Sequence, residues 1–405
     1  MGKAYTAQQT YFHSPEFSLA VAVCMWPDSE NRAMEIGRCL DRQIDWSHFL
    51  RVVNRHRIVG LANQALTRSA SRRVPTTIAL ALKEHAETLA RKSLRSAGEA
   101  SRLVTILRSA GIRCLVLKGA PLAMLAYGNL GLRHSKDTDL LVSREDVFRA
   151  DEALRSAGYR RTMPASFDDG KLLQAYMKNR SEFEYMQAKT GLQTDLHCRL
   201  HNISAFGPFL KLQNTQQPWQ EVDLGGGLRV PTLQEDDLLA YLCSHGARHV
   251  WFRLKWLADI GALLAKSPEA GSRLLQTSRQ HRTERIAMQA LLLCHTFWNT
   301  PLPTQMKVPK WVARGLVKMA CSAMTVGNGT TEPTERSLGI LRIRLLSYFY
   351  LFYNSPRFLQ EILLNEMFLP TDMERLPARI RFLYPLLRLP LFMTRHSGHR
   401  KSSQP

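Results

Sequence analysis

Two aspartates separated by one residue, Asp137 and Asp139, open the apolar run Leu140-Leu141-Val142 downstream of a Lys118-Gly119 pair. In a strand, alternate side chains share a face, so both carboxylates point one way while Leu140 and Val142 point the other. Two like charges held side by side repel unless a cation lies between them. A divalent metal, Mg²⁺ or Mn²⁺, suits such hard oxygen ligands. A third acid inside an apolar strand, Asp195 of "LQTDLHCRL", would complete a metal site that activates an attacking oxygen and steadies a leaving one. His197 follows two residues later and shares the face of Asp195. It suits either substrate contact and acid–base work or a structural hydrogen bond.

Lys118-Gly119 ends one short apolar run and opens a helix. A glycine lets a phosphate approach the backbone, and the amides at a helix start favour anions. Lys118 would neutralise phosphate charge. His245 and His249 lie at i, i+4 of an expected helix and so face together. No Glu follows the first of them, which excludes a zinc-peptidase motif. They belong either beside a nucleotide or acceptor or in packing between domains. His197 and Cys198 point oppositely in a strand, so with His201 they make a poor zinc site. Asp259, inside "LKWLADIGALL", reads as half of a structural ion pair.

These residues need elements to hold them. Apolar residues at helical spacing (Phe49, Val52, Val53, Ile58, Leu61) predict a helical region over residues 1–110, ending at Gly111. "RCLVLK" and "TDLLV" are too short for helices and read as strands. "SREDVFRADEALRSAGY" reads as a helix with a capping serine and an acidic first turn. "EFEYMQ" and "LQTDLHCRL" read as two strands around a Lys189-Thr190-Gly191 turn, and "LRV" as another short strand. The division expected is a mixed α/β core over 111–230, a helical region over 231–325 packing on it, and a basic, apolar helical region over 326–405. The stretch 325–337 is the linker candidate. The fold class is α+β: a small mixed sheet embedded between N-terminal and C-terminal helical regions.

Composition narrows the partners. The 405 residues are 45% hydrophobic and 22% charged, with a net charge of +21. That is a globular chain with affinity for anions such as nucleotides, nucleic acid, acidic glycans or a membrane surface. Arginine is spread through the whole chain rather than gathered in a tail. Seven cysteines without a C-x-x-C pair fit a reducing compartment. "FSLAVAVCMW" lacks a basic leader, and no run reaches the roughly 20 apolar residues of a spanning helix. A cytoplasmic location is expected. The C-terminal "LRIRLLSYFYLFYNSPRFLQEILL" and "RIRFLYPLLRLPLFMTRHSGHRK" mix Arg with Leu, Phe and Tyr. Such segments suit a peripheral membrane contact or a helical core with snorkelling arginines, and the core is favoured. Pro385 and Pro390 argue against one long helix there.

The order of motifs resembles the nucleotidyltransferase fold of the DNA polymerase beta superfamily. More narrowly, "LKGAPLAMLAYGNLGLRHSKDTDLLV" and "QTDLHCRL" resemble an uncharacterised bacterial nucleotidyltransferase family carrying a KGA…R…D-x-D-L-L-V segment and a later D-L-H. The likeness is densest over 111–201 and extends to "CSHGARHVWFRLKWLADIGALL". It implies metal and catalytic carboxylates at Asp137, Asp139 and Asp195, and nucleotide binding by Lys118, Gly119 and Arg133. The chain departs from the wider superfamily in having Ala120 after the glycine, Thr138 between the aspartates and a longer gap between turn and acids. The implied activity moves a nucleoside monophosphate from an NTP such as ATP to an acceptor hydroxyl, with release of pyrophosphate. The resemblance also hints at surface-polysaccharide production. Transfer to RNA or protein is the rival enzyme reading, although no RNA module or stacking platform is visible. A binding or scaffold protein on the same fold is the reading from another class, and retained repelling acids argue against it.

Overall fold

The computed structural model describes residues 14–164, 176–177, 180–201, 219–332, 338–352, 355–367, 372 and 376–397. Among the described residues four short helices come first: α1 (Pro15–Val23), α2 (Glu30–Leu40), α3 (Trp46–Arg55) and α4 (Val59–Ala70). The first three carry side-chain N-caps, from Ser14, Ser29 and Asp45, each satisfying an otherwise orphaned amide. Helix α5 (Thr76–Ser109) follows, 34 residues long and so roughly 50 Å at 1.5 Å per residue. It ends at Gly111, whose φ of 69° takes the left-handed conformation that glycine adopts freely.

The sheet comes next. Strand β1 (Cys114–Val116) leads through the Lys118-Gly119 turn into helix α6 (Ala120–Tyr127) and then β2 (Asp137–Val142). Helix α7 (Val147–Ser156), β3 (Tyr159–Met163), β4 (Glu182–Gln187) and β5 (Gln193–His197) complete the unit. The strand order is β1-β2-β5-β4-β3. The β2–β5 pair is parallel and the other neighbours are antiparallel. A separate hairpin, β6 (Trp219–Gly225) with β7 (Leu228–Leu233), is tied to β1 by Thr232 Oγ1 donating to the Val116 carbonyl at 2.6 Å. The expected α+β class and small mixed sheet are what the chain forms. Sequence patterning missed β3 and β6.

Alternation along the strands decides what faces what. Leu140, Val142, Leu196, Phe183 and Tyr185 join one core with Leu103, Val104 and Leu107 of α5 and Val147, Ala150 and Leu154 of α7. At β2 the other face carries Leu141, in a larger core that takes in the remaining helices: α8 (Glu235–Arg248), α9 (Leu254–Leu264), α10 (Ala270–Gln280), α11 (Glu284–Trp298) and α12 (Lys310–Met324). The same core reaches Tyr348, Leu351 and Phe352 of α13 (Leu338–Phe352) and Ile362 of α14 (Pro356–Met367). The C-terminal region is thus partly core, as favoured. Its last helix, α15 (Tyr384–Ser397), accommodates Pro390 internally and leaves Leu386, Leu389 and Met393 exposed. No helix among the described residues is long and apolar enough to cross a membrane.

The linker expected at 325–337 is corrected where it is described. Residues 325–332 dock on the N-terminal helices: His48 Nε2 meets the Asn328 carbonyl at 3.0 Å, and Arg55 Nε donates to the Thr331 carbonyl at 3.2 Å. Glu332 pairs with Arg253 at 2.7 Å. The turn residues are real, with Gly327, Asn328 and Gly329 all at positive φ, but they fold the segment onto a surface instead of releasing it. Residues 333–337 lie outside the described residues, as do 398–401 of the C-terminal basic stretch.

Candidate active site

Register places the acids. Asp139 and Asp195 are direct partners across the parallel β2–β5 pair, so their side chains leave the same face of the sheet side by side. Asp137 lies two residues before Asp139 on that face, and His197 two after Asp195. From the next strand, Glu184 pairs with Asp195 and Glu182 with His197. All of these except Glu184 line one cavity of about 230 Å³. The facing wall comes from α8, α9 and the bend between them, with Tyr241, His245, Arg248, His249, Phe252, Arg253, Lys255 and Trp256, and from Arg57 beyond α3.

Lys118 arrives beside the acids because the ladder runs one residue past β1: the Leu117 amide donates to the Asp139 carbonyl at 2.9 Å. The Lys118 ammonium then meets Asp139 Oδ1 at 2.9 Å, and His197 Nε2 meets the same oxygen at 3.1 Å. Gly119 turns the chain at φ 76° into α6, which carries no side-chain cap. Ser135 Oγ donates to Asp137 Oδ1 at 3.3 Å. Arg133 lines the cavity, and its Nε lies 3.0 Å from both Asp259 oxygens. Tyr127 also donates to Asp259, at 3.1 Å. The ion pair expected of Asp259 is therefore made with Arg133, and both side chains are almost fully buried. Arg133 keeps a long contact, 3.5 Å, with the Gly119 carbonyl.

The two opposed carboxyls have opposite electrostatics. Burial alone would raise the pKa of Asp139, but the Lys118 charge and the His197 hydrogen bond hold it well below the usual carboxylate range. Asp195 makes no ion pair or side-chain hydrogen bond among the described residues; burial, then the charges of Asp139, Asp137 and Glu182, push it up to about 9 against the pull of Lys118. His245 and His249 are held well below the ordinary histidine range by burial and by cations including Lys118 and Arg248, so both rings are neutral. They stack with each other and around Trp256, with His249 centred 5.1 Å from the indole.

The bend between α8 and α9 is strained. Val250 and Trp251 both adopt positive φ, at 51° and 57°, which is a costly conformation for branched and bulky side chains. The Trp251 amide closes it by donating to the Gly246 carbonyl at 2.9 Å. The indole is fully buried, and Phe252 and Arg253 are returned to the cavity wall.

A divalent cation suits this donor set. Asp139 Oδ2 is buried with no hydrogen-bond partner, the kind of orphaned oxygen that a metal satisfies. One ligand atom each from Asp139, Asp195 and His197 lies within 4.8 Å of the others. The sequence expectation had Asp137 in place of His197; Asp137 shares the cavity but stands outside that group. The basic and aromatic wall was the larger omission. Arg57, Arg248 and Trp256 sit in amphipathic helical sequence, where nothing separates a cavity-facing cation from a solvated one.

No curated protein and no solved structure gives a significant match to the chain. A family model described as "Uncharacterised nucleotidyltransferase" matches residues 42–299, which hold every cavity residue named above. The match covers more than half of the chain, and the chain belongs to that uncharacterised nucleotidyltransferase family.

Proposed function

We propose that the chain is a divalent-metal-dependent nucleotidyltransferase acting on a nucleoside triphosphate and an acceptor hydroxyl. The observation that supports this most is the opposed Asp139–Asp195 pair, one carboxyl charge-compensated and the other not, inside a cavity whose far wall is cationic. Asp139, Asp195 and His197 would hold the metal, with Asp137 beside them. Mg²⁺ or Mn²⁺ would supply Lewis-acid polarisation of a phosphoryl oxygen. The acceptor oxygen attacks the α-phosphorus, the bond from that phosphorus to the bridging oxygen breaks, and pyrophosphate leaves. Asp195, the register partner of Asp139 and the carboxyl that Lys118 leaves unpaired, is the group placed to take the hydroxyl proton once the cation compensates the pair. Lys118 pairs with Asp139, and the Gly119 turn sets the start of α6 beside Ser135 and Asp137, where the free amides of Ala120 and Leu122 would favour an anion.

The test is incubation of purified protein with each α-labelled NTP, Mg²⁺ or Mn²⁺ and a cell extract, following pyrophosphate and the labelled product. Label on a sugar, an RNA or a protein would identify the acceptor class, and a surface-polysaccharide precursor is the acceptor that the motif resemblance suggests. Absence of NTP-dependent pyrophosphate release and of NTP binding would overturn the proposal in favour of a non-catalytic role.

A further inference from the structure

Most cations around the cavity are already engaged. Lys118 is paired with Asp139, Arg133 with Asp259, and Arg253 with Glu332 through Nε and NH2 at 3.2 and 2.7 Å. Lys255 is buried, donates to the His134 carbonyl at 3.3 Å, and is driven well below the usual lysine range by burial and by Arg133 and Arg57. Two guanidiniums remain, and neither makes an ion pair or side-chain hydrogen bond among the described residues. Arg248 ends α8, and Arg57 follows α3 from a different part of the fold; both are half-buried and both line the cavity. Arg248 feels the charge of Glu182, and Arg57 those of Asp137 and Glu332, only at longer range, and a half-buried guanidinium without a direct partner is costly. Arg57 is also held at φ 56°, where a helix end ordinarily has glycine. An arginine kept at such a position points to a use for its side chain.

We propose that Arg57 and Arg248 form the polyphosphate subsite of the cavity, gripping the β- and γ-phosphates that depart as pyrophosphate. This rests on the nucleotidyltransferase reading. It moves the main phosphate grip from the Lys118-Gly119 turn to two arginines on the helical wall opposite the acids. Guanidinium suits the task, because its planar fork matches two phosphate oxygens at once.

Wild type, Arg57→Gln and Arg248→Gln would be titrated with inorganic tripolyphosphate, with each NTP and with the matching NMP, all with Mg²⁺ in excess. Melting curves without ligand would check folding. The expected result is at least a tenfold loss of tripolyphosphate and NTP affinity in each variant, with NMP affinity within about twofold of wild type. Equal tripolyphosphate or NTP affinity in all three proteins overturns the assignment, and so does a parallel loss of NMP affinity. Tripolyphosphate binding that depends on both arginines, without binding of any NTP, would sustain the subsite and reject the transferase reading. NTP binding unchanged in the variants would do the reverse. If wild type bound neither ligand, both would fall.

Discussion

Asp139 and Asp195 are register partners on adjacent parallel strands, yet only Asp139 is met by Lys118 and His197. Direct opposition of two carboxyls would ordinarily leave them sharing a proton. Here the single ammonium breaks the symmetry: one acid is held ionised and the other retains its proton into the basic range. The pair is poised for a divalent cation, whose arrival would compensate both at once.

Mg²⁺ or Mn²⁺ should therefore raise the melting temperature. At a hundredfold excess over Kd the expected stabilisation is about 2.7 kcal/mol, and NTP should add to it. Asp139→Asn removes the charge that faces both Lys118 and the cation, and most of the shift should vanish. A variant that responds to metal like the wild type would exclude Asp139 as a ligand.

Asp195 also predicts a pH dependence. Its ordinary pKa of 3.8 rises to about 9 on folding, so across that interval the native state binds a proton that the unfolded state has lost. Stability through this group falls as pH rises from 4 to 9. Asp139, shifted downward, has the opposite sense: its contribution is present above the ordinary carboxylate range and disappears as pH falls through its depressed pKa. Asp195→Asn mimics the protonated acid. In metal-free buffer it should stabilise the protein on the order of 1–2 kcal/mol near pH 8 after allowance for solvent screening, and less near pH 5. A gain of the same size at both values would mean that Asp195 is not the titrating group.

The sheet side of the site was readable because strands put every second residue on one face. Asp137, Asp139, Asp195 and His197 needed only that period and two apolar runs. On the opposite wall only His245 and His249 were readable, as a co-facing i, i+4 pair; its arginines were not. Arg57 lies 191 residues from Arg248 in sequence, and their shared cavity is a product of the tertiary fold, which no local pattern encodes. Arg133 shows the same gap: its motif position suggests a phosphate ligand, while its nearest charge, Asp259, is 126 residues away. Lys118 and Asp139 were legible individually, but their contact depends on the one-residue extension of the β1–β2 ladder.

The Arg133–Asp259 pair yields a test of its own. Loss of one partner from a buried pair leaves an uncompensated charge and costs about 3–5 kcal/mol. Arg133→Met should destabilise the ligand-free protein on that scale, and Arg133→Met with Asp259→Leu should recover part of the loss. A phosphate-gripping role for Arg133 would instead leave ligand-free stability nearly unchanged and lower NTP affinity. Chemical denaturation of the three proteins, with and without NTP, separates the two.

Gly246 is fixed by packing. A Cβ there would lie 2.3 Å from Trp251 Cζ3 and 2.5 Å from Cη2. That indole cannot retreat easily, because it is fully buried and its N–H donates to Gln289 Oε1 at 3.0 Å. Gly246→Ala should cost about 1–3 kcal/mol as overpacking. It should also weaken nucleotide binding, since Arg248 and His249 follow within one turn. Gly98 is the control: nothing lies within 4 Å of its added Cβ, and it sits inside α5. Gly98→Ala should stabilise by about 0.5–1 kcal/mol and leave binding alone.

The last prediction concerns residues beyond the family match. Tyr348 is 1% exposed, and its hydroxyl donates at 2.9 Å to the carbonyl of Arg248, at the end of the cavity helix. Leu351, Phe352 and Ile362 join the same core as α8 through α12. Tyr350 covers Gly315 of α12 so closely that a Cβ there would meet its ring at 2.2 Å. Truncation from Leu341 onward would expose that apolar surface and free the Arg248 carbonyl, so the product should aggregate. Tyr348→Phe keeps the ring and removes only the hydroxyl. It should fold, lose about 1 kcal/mol of stability, and weaken tripolyphosphate binding in Mg²⁺ by loosening the Arg248 end of α8. A soluble truncated protein with full nucleotide binding would show instead that residues 341–405 are an appendage, and that the cavity helix holds its own end.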